Sequence, residues 1–170
     1  MNNITSTKKI TFGGMIVLLS TVMLYLTIII PTNKITLLVI SSFLLSIVVI
    51  EAGVSTSIMA YIATSIISFI IMPNKGISIL YILLFGHYPI IKYFIERIDK
   101  VVLEWIIKIL VLNLSLYINY KFFLMIIGNI NIDIPLWGIV ILLQILIIVY
   151  DYIFTMAISY YKNTIRKKLR

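Results

Sequence analysis

The sequence has no cysteine and a single histidine, His87. Without cysteine there is no disulfide, no thiol nucleophile and no thiolate metal site. One imidazole cannot build a redox chain. Acidic residues are also scarce, six against fourteen Lys and Arg, and they are scattered. Paired carboxylates for acid–base work are therefore not evident. The chain contains no Gly-rich phosphate loop, no HExxH, no GxSxG and no His/Asp cluster at metal-ligand spacing. No catalytic motif and no cofactor site can be assigned, and the chain reads as a non-enzyme. No polar stretch is long enough to form a soluble domain.

Apolar sequence is what the chain does have. Hydrophobic residues make up 62% of its 170 residues and mean hydropathy is +1.14, against about 45–50% apolar residues in soluble domains. No soluble core buries that much apolar surface, so the bilayer must serve as solvent. A crossing needs about 20 apolar residues, which leaves room for about six. The expected fold is an all-α polytopic membrane bundle of six transmembrane helices, one integral membrane domain over residues 1–170. The absence of cysteine fits a bacterial inner (plasma) membrane. The net charge of +8 is read as topological rather than as nucleic-acid binding, because the cations cluster at particular helix ends.

The apolar runs predict helices near 10–30, 35–50, 55–72, 77–98, 101–121 and 136–160, with a basic cytoplasmic tail over 161–170. The first run is long and no A-x-A-like cleavage site closes it, so it reads as a retained helix. Gly13 and Gly14 near its start permit close helix approach. Pro31-Thr32-Asn33-Lys34 and Pro73-Asn74-Lys75-Gly76 are turns on the same side of the membrane. Glu51 stands at a helix end. Ala60, Thr64 and Ser68 recur every fourth residue, with Ser57 close to the same face, and form a small-residue packing seam. Gly86-His87-Tyr88-Pro89 should kink the fourth helix. Lys92, Glu96, Arg97, Asp99 and Lys100 then read as a charged interfacial end. Phe122 to Pro135, with Gly128, Asn129, Asn131 and Asp133, reads as the longest connection.

The fifth run, Glu104 to Asn119, is the organising stretch. Glu104, Lys108, Ser115 and Asn119 share a stripe about 60° wide on an α-helix, with Asn113 opposite. In the sixth run, Gln144, Asp151 and Thr155 share another stripe. An isolated charge at a membrane helix centre costs about 2.5–3.5 kcal/mol on the translocon scale. Lys108 is therefore expected to pair with Asp151, with Glu104 one turn away as a second carboxylate, in a buried polar clasp. With the N-terminus in the cytoplasm, ten Lys and Arg fall at inner ends and three (Lys34, Lys75 and Lys121) in outer loops. The positive-inside rule then predicts N-in and C-in.

Six short helices, Lys8-Lys9 before the first, an outer turn at Pro31, a small-residue third helix and the tail Arg166-Lys167-Lys168 resemble the substrate-binding S components of energy-coupling factor (ECF) transporters. The resemblance implies a vitamin-like small-molecule substrate entering from outside. It also implies a partner coupling membrane subunit with ATPases, to which the Gly13/Gly14 face of helix one would dock. Candidate substrate-binding residues are Asn33, Lys34, Tyr81, Asn113, Tyr117 and Trp137. Met1-Asn2-Asn3 lacks the Met-His start of the nickel and cobalt members, so a metal substrate is not implied. From the residues alone, a non-transport membrane scaffold or regulator working through helix–helix contacts is the alternative.

Overall fold

The computed structural model describes residues 6–98, 100–127 and 136–168, and every regular element among them is helical. The helices are α1 (Ser6–Ile29), α2 (Lys34–Glu51), α3 (Val54–Ile71), α4 (Lys75–Leu80), α5 (Tyr88–Ile95), α6 (Val101–Ile127), α7 (Leu136–Tyr160) and the single turn α8 (Arg166–Lys168). Six stretches are long and apolar enough to cross a membrane: Ser6–Ile29, Pro31–Glu51, Val54–Ile71, Lys75–Ile95, Val101–Met125 and Leu142–Ile165. The chain groups into two compact units, Met1–Asn119 and Tyr120–Arg170.

Local chemistry sets the breaks. The residue before a proline is pushed out of the α region, so α1 stops at Ile29 and Ile30 turns to φ −116°, ψ 80°. Pro31–Asn33 forms a 3₁₀ turn that runs into α2. The second crossing is therefore longer than the 35–50 run suggested. Between α2 and α3, Gly53 adopts φ +93°, a conformation that strains any side chain. Its N–H returns to the Val48 carbonyl at 3.1 Å, and its own carbonyl accepts from Ser57 N–H at 3.1 Å. At the end of α3, Lys75 Nζ donates to the Phe69 carbonyl at 2.5 Å, where a cation complements the helix dipole. Asn74 Oδ1 accepts from Gly76 N–H at 3.1 Å and caps α4.

Two crossings depart from their expected form. The fourth is not one kinked helix: α4 opens into a π-helical stretch, Tyr81–Gly86, and α5 restarts at Tyr88 with Pro89 in its first turn. It ends at Ile95, and Lys92, expected at a charged interfacial end, is 1% exposed. The fifth passes through Lys121 to Ile127, because lysine is a good helix former and nothing before Gly128 breaks a helix. Phe122 to Ile127 is thus helix, not connection. The rest of that connection, with Gly128, Asn129, Asn131 and Asp133, lies outside the described residues, as does Asp99.

In the first unit α2 is the hub, packing against α1, α3, the π-helical stretch and α5. A helix with so many neighbours must be narrow, and its buried set includes Ser41, Ser42 and Ser46 beside Leu38, Leu45 and Val48. Val17, Leu45, Val49, Ala60 and Ile90 form one apolar core, and Ile16, Val48 and Ala52 a second. The α3 seam of Ser57, Ala60, Thr64 and Ser68 is buried. Gly13 is buried too, and a Cβ there would meet Thr56 Cγ2 at 2.9 Å; Gly14 is exposed and faces open space. On α6, Lys108, Leu112 and Ser115 are buried while Leu110, Leu114 and Tyr117 are exposed.

In the second unit, Ile147, Asp151 and Phe154 are the buried residues of α7, at the spacing of one helix face. The Tyr150 and Phe154 rings lie 5.6 Å apart. Thr155, placed by periodicity on the Asp151 stripe, is exposed and donates to the Asp151 carbonyl at 2.8 Å.

Candidate functional site

The break in the fourth crossing concentrates the polar chemistry. Proline has no N–H, so Pro89 leaves the Phe85 carbonyl four residues back without its usual helical donor. Ser42 Oγ, from α2, donates to that carbonyl at 2.6 Å. The Ile82 carbonyl, inside the π-helical stretch, accepts from the Tyr61 hydroxyl at 2.9 Å and lies 3.2 Å from His87 Nδ1. The other ring nitrogen, Nε2, lies 3.1 Å from Ser115 Oγ on α6. With Nδ1 protonated, the imidazole donates to Ile82 and accepts from Ser115. Gly86 admits the Tyr61 ring, since a Cβ there would stand 2.7 Å from Tyr61 Cε2. Side chains from α2, α3 and α6 thus close the hydrogen bonds that the broken helix cannot.

A layer of buried hydroxyls adjoins this break. Ser20, Ser41, Thr64 and Tyr81 are each 0% exposed and come from α1, α2, α3 and the start of the π-helical stretch. Ser41 Oγ donates to the Ser20 carbonyl at 3.3 Å. The Tyr81 hydroxyl lies beside those of Ser41 and Thr64 without closing a hydrogen bond to either. The hydroxyls of Ser20, Thr64 and Tyr81 have no partner.

A second cluster is charged. Glu96 Oε1 lies 2.8 Å from Lys92 Nζ and 3.4 Å from Lys108 Nζ, so one carboxylate serves two lysines whose side chains are 1% and 7% exposed. Glu96 itself is 34% exposed. Lys92 stands over the Tyr88 ring at 5.9 Å, and Lys108 over the Trp105 ring at 5.6 Å. These cation–π contacts offset part of the desolvation of each ammonium.

The residues singled out from the sequence are dispersed. Of the six substrate candidates, Tyr81 alone is buried among those whose side chains are described. Asn33 is exposed in the 3₁₀ turn, Lys34 is half-buried at the start of α2, and Tyr117 is 58% exposed. Asn113 is half-buried and donates to its own helix at the Ile109 carbonyl, 2.9 Å away. Trp137 falls in α7, and its side chain lies outside the described residues. Of the expected clasp, Lys108 and Asp151 are buried and Glu104 is half-buried. Sequence reasoning missed Lys92 and Glu96 as partners, taking both for interfacial charges. It also missed Ser41, Ser42 and Tyr61. Three serines within one apolar α2 run were the available signal.

Among the described residues, no group of three or more His, Cys, Asp and Glu side chains comes together as a metal site. Comparison with family models, with curated proteins and with solved structures finds no match.

Proposed function

We propose that this multi-pass membrane protein is the substrate-binding subunit of an ECF-type uptake transporter for a vitamin-like small molecule. The observation that carries this reading is the interrupted fourth crossing. Irregular backbone at membrane depth is tolerated only where protein buries it or a cavity borders it, and transporters build substrate sites at such interruptions. Here the interruption is supported by Ser42, Tyr61 and His87 and adjoins a layer of hydroxyls without partners. A scaffold that needed only helix contacts has no use for unpartnered polar groups in its interior.

In this reading both termini face the cytoplasm of a bacterial cell. With Lys92 buried, nine Lys and Arg remain at inner ends against three in outer loops, so the charge bias still favours N-in and C-in. The partners are a coupling membrane subunit and its ATPases, and the chain itself performs no chemistry. The exposed Gly14, on the outer face of α1, is available for docking; Gly13 is occupied by Thr56.

The test is purification of the tagged protein from native membranes, with mass spectrometry of both the co-purifying proteins and the small molecules. Recovery of ATPases or of a bound vitamin-like compound is expected. Recovery of envelope-assembly proteins with no small molecule would overturn the reading in favour of a scaffold or regulator.

A further inference from the structure

We propose that Tyr81, Thr64, Ser41 and Ser20 form a closed binding site for an uncharged molecule carrying both a hydrogen-bond donor and an acceptor, such as an amide, lactam or alcohol. The inference rests on the uptake reading and names the class of its substrate.

The first argument is the state of the hydroxyls. A serine or threonine on a membrane helix has an easy partner in the carbonyl three or four residues back. Thr11, Thr21 and Thr27 of α1 all take it, at 3.0, 2.8 and 2.6 Å. Ser20 on that same helix does not, and neither does Thr64. Both hydroxyls, like that of Tyr81, are fully buried and unpartnered. Buried polar groups without partners are costly and call for a bound species.

The second argument is position. One helical turn from the layer in one direction stand Val17, Leu45 and Ala60; one turn in the other stand Leu24 and Leu38. The polar layer therefore has apolar walls above and below. Tyr81 opens the π-helical stretch, a feature often found at functional sites.

The third argument is charge. α3 carries no Asp, Glu, Lys or Arg, and Lys34, the α2 cation nearest Ser41, is about 10 Å away along the helix. A charged ligand here would be stripped of water with no counter-ion. Each hydroxyl both donates and accepts, which suits a neutral group of mixed character.

Benzamide, benzoate and benzylammonium share a ring and differ in charge, and they provide the test. Thermal unfolding of the detergent-purified chain would be followed with each, for wild type, Tyr81→Phe and Thr64→Val. Benzamide is expected to raise the wild-type midpoint by about 2–4 °C near saturation, the charged probes to leave it unchanged, and both variants to lose the shift. Equal shifts with all three probes, or a benzamide shift surviving in both variants, would overturn the proposal. So would no shift with benzamide: a higher midpoint for Tyr81→Phe would then mark an idle hydroxyl, and a lower one a site for water only. A compound that co-purifies with wild type and with both variants would remove this site while leaving the uptake reading intact.

Discussion

Ser42 on α2 donates a 2.6 Å hydrogen bond to the Phe85 carbonyl, the acceptor that Pro89 leaves open by lacking an N–H. The serine and the proline are thus two halves of one feature, forty-seven residues apart in the chain. In a bilayer no water substitutes for a missing donor. Ser42→Ala should lower stability by about 1–3 kcal/mol, the cost of a stranded buried acceptor. In a Pro89→Ala background, where the restored N–H can reach Phe85, the same change should cost clearly less. Thermal unfolding of the four proteins gives the coupling directly; simple additivity would separate the two residues.

The Tyr61–Gly86 contact fixes the neighbouring turn. A methyl group on residue 86 would stand 2.7 Å from Tyr61 Cε2, 2.9 Å from its Cδ2 and 3.0 Å from Tyr81 Cε1. Gly86→Ala must move an aromatic ring whose hydroxyl is held by Ile82. A loss of about 1–3 kcal/mol is expected from overpacking. Tyr61→Leu loses the hydroxyl bond but leaves room, so Gly86→Ala should cost less in that background. A neutral Gly86→Ala in the wild-type protein would contradict the close packing of the break.

These two contacts also show what could be read from sequence. The six crossings were legible because about 20 consecutive apolar residues admit few other readings. The α3 seam was legible because small residues recur every fourth position. The stripe on α6 was legible for Lys108 and Ser115, which are buried. Periodicity carries no information about which helix lies beside which. Lys108 meets Glu96, twelve residues away across a turn, and that contact depends on where α5 ends. The centre of the first unit was misjudged for the same reason. α6 has the most conspicuous polar residues, but α2 has the most neighbours, and its serines look ordinary until three helices pack around them. The π-helical stretch has no sequence period of its own, and Pro89 announced only that some break would occur.

The Lys92–Glu96–Lys108 cluster predicts an asymmetry between adjacent charges. Glu96→Gln withdraws a carboxylate shared by two buried ammonium groups. Removing one partner of a fully buried pair costs roughly 3–5 kcal/mol. Because Glu96 keeps 34% of its side-chain exposure, water screens part of the effect and about 1–2 kcal/mol is expected. Arg97, next in sequence, is exposed and stacks on Tyr93 at 5.1 Å, so Arg97→Gln should change stability by less than about 0.5 kcal/mol. Equal effects, measured by thermal unfolding in detergent, would show that the shared carboxylate contributes nothing beyond an ordinary surface charge.

Gly13 and Gly14 are adjacent in sequence and opposite in role, which separates packing within the chain from docking to a partner. Gly13 is buried, and an added methyl would stand 2.9 Å from Thr56 Cγ2; Gly14 has nothing within 4 Å. Gly13→Ala gains helix propensity but forces α1 from α3 or turns Thr56, whose hydroxyl is tied to the Ala52 carbonyl at 3.3 Å. A net loss of about 1 kcal/mol is expected. Gly14→Ala gains roughly 0.5–1 kcal/mol of helix propensity with no clash, so it should raise the unfolding midpoint of the isolated chain. If α1 presents this face to a coupling subunit, Gly14→Leu should leave the isolated chain folded yet reduce co-purification of that subunit, whereas Gly13→Ala should act chiefly on stability. Undiminished co-purification with Gly14→Leu would place the docking surface on another helix.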